Sequence, residues 1–256
     1  MKNDLVSIIM LSHERGRYVR ETVESVLAQT YRNWELLFID DNSTDDTITQ
    51  ITELKGRDKR INISRSVYDK GASYLRNTAL KEARGRWIAF LDVGDVWAPD
   101  KLEKQIAFME ENGYAFSYTK YGVMNKASQD RGIVVGGLAH INRQKMLKCC
   151  WPAYMTVMYD SKVTGRMQVR NLRSNNDYAL WLNISEKADC HLLDACLAKQ
   201  RTYWNYLGSV LYTDKMKWRY DCYRIEEDFS PLKATWYTVR NGCYGVWKWM
   251  RYVKRG

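Results

Sequence analysis

The chain has 256 residues, enough for one large domain or for one domain with an appended subdomain, and its 45% apolar content is that of a soluble globular protein. No apolar run approaches the roughly 18 residues of a membrane span, and Met1 to Asp4 lead straight into a strand-like run, so no signal peptide and a cytoplasmic location are expected. A net charge of +10 leaves nucleic acid, an anionic membrane surface and phosphorylated small molecules as partners, while six cysteines without C-x-x-C spacing argue against zinc and against a disulfide framework.

Residues 6–11 read as a buried strand, and Tyr18, Val19, Thr22, Val23, Val26 and Leu27 then recur at helical spacing. Residues 34–39 form a second strand that ends in Asp40 and Asp41. The run 40–45 is rich in helix-capping residues, and a helix is expected over 47–55. Residues 61–64 are a weak third strand. Gly71 precedes a helix through Leu75, Thr78, Ala79 and Ala83, which feeds the apolar run 87–91. That run stops abruptly at Asp92 and Asp95. Pro99 opens an amphipathic helix through Leu102, Ile106 and Met109, and residues 115–119 form a further strand. Alternation of strands and helices over the first 120 residues predicts a mostly parallel sheet with right-handed crossovers. Beyond it, Gly122, Gly132, Gly136 and Gly137 predict a mobile loop, followed by a helix near 141–148. A strand over 155–159, a helix opening at Asp177 and a strand over 192–197 complete this part.

Ligands of open α/β sheets bind beyond the carboxyl ends of the strands. Two acidic strand ends, Asp40-Asp41 and Asp92 with Asp95, therefore suit a divalent metal or a polyhydroxylated ligand; the plainer reading is that they cap turns. From Tyr212 onward Lys215, Lys217, Arg219, Arg240, Lys248 and Arg251 interleave with Trp218, Tyr220, Trp236, Trp247 and Tyr252. This is the composition of helices at a membrane interface, or of a C-terminal helical hairpin that packs its aromatics on the domain. Nucleic acid is disfavoured, since no recognised binding module is present and the charge gathers at one end. A dinucleotide-dependent dehydrogenase is disfavoured by the absence of G-x-G-x-x-G after the first strand.

The ordered motifs Val6-Ser-Ile-Ile-Met10, Glu24-Ser-Val-Leu-Ala-Gln-Thr-Tyr31, Asp40-Asp-Asn-Ser-Thr-Asp45, Arg76-Asn77, Gly85-Arg-Trp-Ile-Ala-Phe-Leu-Asp92 and Asp177-Tyr-Ala-Leu-Trp-Leu182 together resemble family 2 glycosyltransferases over roughly residues 4–210. The resemblance implies a GT-A fold: an α/β, mostly parallel central sheet flanked by helices, with a C-terminal helical extension. It implies a domain over 1–210, divided into a nucleotide-sugar-binding half (1–120) and an acceptor-binding half (121–210), then a basic aromatic tail over 211–256. The expected activity is inverting transfer from a nucleotide-diphosphate sugar to a glycan or polyprenyl-linked acceptor. The closest likeness is to bacterial enzymes of capsular, O-antigen or exopolysaccharide synthesis, peripheral on the inner face of the membrane.

The diphosphate leaving group concentrates negative charge, which Mg²⁺ or Mn²⁺ and fixed dipoles stabilise, and the acceptor hydroxyl needs a general base across the ring. By resemblance, Asp41 holds the base or ribose of the nucleotide and Asp40 supports that strand end. Asp92 lies at the ribose and metal with Asp95 beside it. Arg76 lies near the nucleotide, Arg201 reaches the diphosphate, and Asp177 is the general base. The chain departs from the family pattern in three places. Asp92-Val-Gly-Asp95 stands for Asp-Ser-Asp-Asp, so Gly94 occupies the most direct metal-ligating position. Leu11-Ser-His-Glu14 replaces Pro-Ala-Tyr-Asn, and Asn176 replaces the acid before the base. Competing readings make Arg76 and Arg201 ion pairs within the fold and Asp177 a helix-start acid. On those readings the chain is a degenerate relative that binds nucleotide or acceptor without turnover.

Overall fold

The computed structural model describes residues 3–66, 71–170, 172, 176–202 and 213–255. Its N-terminal half alternates β1 (Val6–Ser12), α1 (Gly16–Leu27), β2 (Trp34–Asp41), α2 (Thr47–Arg57), β3 (Ile61–Ser66), α3 (Ala72–Glu82) and β4 (Trp87–Phe90). These four strands are parallel, in the order β3-β2-β1-β4. β1, β2 and β4 are buried almost throughout, as strands covered by helices on both faces must be. Alternate side chains leave opposite faces. Ile8 and Met10 therefore pack with Val19 and Val23 of α1 and Ile51 of α2, while Ile9 packs with Leu75 and Ala79 of α3.

After β4 come β5 (Val96–Trp97), α4 (Lys101–Asn112), β6 (Phe116–Met124), β7 (Asp130–Val135), β8 (His140–Ile141) and α5 (Arg143–Lys148). Then follow β9 (Met158–Asp160), α6 (Ser161–Thr164), α7 (Asn176–Ser185), β10 (Cys190–Arg201), α8 (Thr213–Ile225), α9 (Pro231–Tyr252) and β11 (Val253–Arg255). The sheet continues past β4 through antiparallel β9, β6, β7 and β11, and β10 runs parallel to β6 with two register shifts.

Several expectations change here. The predicted loop after residue 119 is instead the rest of β6, a turn bonded to the Asn125 side chain, and β7. One of its glycines serves close packing: a Cβ at Gly137 would lie 2.4 Å from Tyr118 Oη. Residues 154–156 form a 3-10 turn, so the strand predicted over 155–159 shrinks to β9. Pro99 precedes the N-cap Asp100 rather than opening α4. β10 extends beyond 192–197 at both ends.

The C-terminal region folds back onto the rest. Tyr223 and Ala234 are buried in the same cluster as α7, Trp151 packs edge-on against Trp247 and Tyr252, and Lys248 Nζ donates to the Cys150 and Trp151 carbonyls. All six cysteines are free thiols. Among the described residues no helix is long and apolar enough to cross a membrane.

Candidate active site

Register brings the acidic strand ends to one edge of the sheet. Ser12 of β1 stands opposite Asp40 of β2, Phe90 of β4 pairs with Ile9, and Val93 N donates to the Leu11 carbonyl. Asp92 thus leaves β4 level with the end of β1. Its Oδ1 is sealed from solvent and has no hydrogen-bond partner among the described residues.

Aromatic packing delivers the other groups to the same place. Phe90 meets Trp181 of α7 edge-on at 5.2 Å and Tyr154 at 5.0 Å, which fixes α7 and the 3-10 turn over the end of β4. Arg76, buried on α3, lays its guanidinium 4.6 Å over the Tyr154 ring and donates from Nε to Tyr154 Oη at 3.2 Å. Asp177 sits half-buried in the first turn of α7, without a hydrogen bond or ion pair among the described residues. These three groups feel one another. Burial raises the Asp92 pKa to about 6, with Arg76 opposing and Asp177 adding to the rise. Burial also works against the Arg76 charge, but Tyr154, Asp92 and Asp177 outweigh it and its pKa is raised. The site is a buried arginine in electrostatic reach of two partly buried acids.

Asp95 belongs to the next turn. Burial pushes its pKa up to about 7; the Arg201 amide, which donates to Oδ1 at 2.8 Å, opposes that rise, and Asp92 adds to it. Arg201 itself is turned into the fold. Its Nε donates to the Gly94 carbonyl, Nη1 to the Asn125 carbonyl and Ser128 Oγ, and Nη2 to Glu21 at 2.6 Å. Gly94 has φ +116°, a conformation that side chains resist, and its N–H donates to Thr22 Oγ1. Among the described residues no three His, Cys, Asp or Glu side chains gather so as to hold a metal by themselves. The buried, unsatisfied Asp92 Oδ1 does fit a cation whose remaining ligands come from elsewhere.

Asp40 is fully buried at the end of β2. Its Oδ2 accepts from Ser43 N at 3.0 Å and lies 3.4 Å from Arg65 Nε, which shapes the loop that carries Asp41. That loop is tied to the one after β1, since Glu14 accepts from Thr44 and Asp45 accepts from Gly16 N. Two residues of the site escaped the sequence reading. Arg15, which acts on both Asp92 and Asp95, had a faint signal as a cation just past the first strand. Tyr154 had none, because its role depends on Arg76, 78 positions away.

The sequence profile of Glycosyl transferase family 2 matches residues 7–151, more than half of the chain and the whole acidic edge of the sheet. The chain belongs to glycosyl transferase family 2. TuaG of Bacillus subtilis (strain 168), a putative teichuronic acid biosynthesis glycosyltransferase, is 35% identical over 92% of this chain and 94% of its own length. WfgD of Escherichia coli, a UDP-Glc:alpha-D-GlcNAc-diphosphoundecaprenol beta-1,3-glucosyltransferase, is 41% identical over 72% of this chain and 71% of its own. TarS 1–349 of S. aureus, solved in complex with UDP-GlcNAc, matches with a TM-score of 0.68 at 20% identity, over 90% of this chain and 69% of that one. The family 2 chain therefore has the GT-A fold and is a glycosyltransferase of cell-surface polysaccharide synthesis.

Proposed function

We propose that this enzyme moves a sugar, with inversion, from a UDP-linked donor to a lipid-linked glycan acceptor, working from the inner face of a membrane. The convergence of Asp92, Arg76 and Asp177 beyond the ends of β1 and β4 carries the reading. Asp177 takes the proton from the acceptor hydroxyl as it attacks the anomeric carbon, and among the described residues nothing bonds its carboxylate. The nucleotide lies along the C-terminal edge of the sheet, with Asp41 at its base or ribose and Asp40 bracing the loop. Arg76 opposes the rise that burial imposes on Asp92 and faces the donor. Arg201 acts through the acidic turn, fixing Gly94 and Asp95 instead of reaching the diphosphate. Asp92, with Asp95 nearby, would hold Mg²⁺ or Mn²⁺ together with donor phosphates, and the ion would supply positive charge for the departing diphosphate. UDP and the diphospholipid acceptor follow from what WfgD acts on.

The membrane reading rests on α9. Leu232, Trp236, Val239, Val246 and Met250 are exposed, by 86% and 63% for the first two, and recur three, four or seven apart along one face. Exposed Lys233, Arg251 and Lys254 flank that face, and the helix contains no acid. Paired copies of such a stripe would set cation against cation, whereas an anionic lipid surface complements it.

The test is release of UDP from UDP-glucose and UDP-N-acetylglucosamine with Mn²⁺, with and without a sugar diphospholipid. Acceptor-dependent release is expected. Nucleotide binding without release from either donor would favour the reading in which the chain binds but does not turn over.

A further inference from the structure

Two cations of α8 lie against α7, one over Tyr178 and one within electrostatic reach of Asp177. Arg219 lays its guanidinium 4.0 Å over the ring of Tyr178, the residue next to Asp177. Its Nη1 is sealed from solvent and has no hydrogen-bond partner among the described residues. Lys215, one helical turn earlier, carries no ion pair among the described residues; burial and Arg219 lower its pKa, and Asp177 opposes them. A charged donor kept out of water normally finds an acceptor, and two cations at i and i+4 repel one another unless an anion joins them. Their position is the second observation. Asp177 acts electrostatically on Asp92 and Arg76, where the nucleotide lies, and also on Lys215 of α8. A general base faces its acceptor, so the α8 side belongs to the acceptor. α8 also packs on α9, whose Asn241 donates to Tyr223 Oη at 3.1 Å and to Tyr178 Oη at 3.4 Å. Tyr178, which carries Arg219 on its ring, thus links the residue next to it, Asp177, to the helix with the exposed apolar stripe.

We propose that Lys215 and Arg219 form a subsite for the diphosphate of the acceptor lipid, one sugar ring away from the hydroxyl that Asp177 deprotonates. This rests on the lipid-linked acceptor reading above and deepens it. The subsite makes acceptor choice depend on the anionic linkage as well as on the sugar. Arg219 offers a fixed planar fork and Lys215 a movable point charge, a pairing suited to a diphosphate that arrives on a flexible chain.

The experiment is calorimetric titration of the full chain, without donor, using dodecyl N-acetylglucosaminyl diphosphate and the neutral dodecyl N-acetylglucosaminide. The wild type is expected to prefer the diphosphate. Lys215→Gln and Arg219→Gln should each weaken that ligand about tenfold or more, because each removes a charge-assisted hydrogen bond. The neutral glycoside and UDP should bind all variants equally, and Arg219→Lys should recover part of the loss. A fall in UDP affinity instead would assign the cations to the donor. Equal loss for both glycosides would make α8 a mere support of α7. Either result, or a wild type indifferent to the diphosphate, overturns the proposal. Because binding is read without turnover, a chain that discriminates the diphosphate yet transfers no sugar upholds the subsite and defeats the transferase mechanism.

Discussion

At the scale of single residues, Asp177 and Asp92 separate the chemistry of transfer from that of donor binding. Asp177→Asn should leave the affinity for UDP within a small factor and lower turnover by about 10²–10⁴, the usual worth of a general base, measured by single-turnover transfer. The acidic pair also sets a pH dependence whose sign is fixed by burial. Both carboxyls titrate above their ordinary value, near 6 for Asp92 and near 7 for Asp95. The empty protein should therefore lose stability as pH rises from about 4 through 7, since ionising a buried acid favours the unfolded chain. Mn²⁺-dependent nucleotide binding should run the other way, weakening about tenfold per unit as pH falls from 7 to 6 and more steeply below 6, because the cation needs both ionised acids. Melting temperatures of wild type and Asp95→Asn across that range check the first; calorimetry with UDP and Mn²⁺ checks the second. Gly94 was the position where a lost carboxylate invited repair. With φ at +116° a side chain there is strained, so Gly94→Asp should destabilise the fold by about 1–3 kcal/mol without tightening the metal. Arg201→Lys should cost about 2–4 kcal/mol in chemical denaturation, since a lysine cannot satisfy the Gly94 and Asn125 carbonyls, Ser128 and Glu21 together. The acids at strand ends were legible because chain order alone places them there. Tyr154 was not, nor were the ring partners of Arg76 and Arg219, because these groups meet only across the folded core.

At the scale of elements, periodicity served the first half of the chain well, where β1, β2 and β4 are mostly apolar and buried and each helix has one apolar face. It served the second half poorly. β7 is mostly exposed and opens on Asp130, Arg131 and Gly132, so its extent depends largely on pairing with β6 and β11. The same division runs through α9. One face, with Ala234, Thr238 and Asn241, is buried, while the opposite face leaves Leu232 and Trp236 in water. A basic aromatic composition fits both packing and membrane contact, and only the fold assigns them to different faces. Leu232→Ser combined with Trp236→Ser should reduce binding to phosphatidylglycerol vesicles at least several-fold and leave the melting temperature unchanged, since exposed side chains contribute little to folding. Unaltered vesicle binding, or a change of oligomeric state in sedimentation, would assign the stripe to another partner.

At the scale of the molecule, the C-terminal helices are not an appendage that can be cut away. Asn241, Lys248 and Tyr252 hold Tyr178, the carbonyls of Cys150 and Trp151, and the Trp151 ring. Truncation from about residue 232 should therefore lower the melting temperature and impair transfer together, so vesicle binding by such a fragment would report unfolding as much as lost contact. β11 extends the point to the making of the protein. β7 is translated early, but its outer edge finds its partner only when Val253, Lys254 and Arg255 have left the ribosome. Until then the growing chain displays an uncovered strand edge, the kind of surface that pairs with neighbours on a crowded polysome. Ribosomes that stall or terminate shortly before residue 253 would release chains already committed to the core yet open at one side. Quality control should find this edge before any defect at the active site.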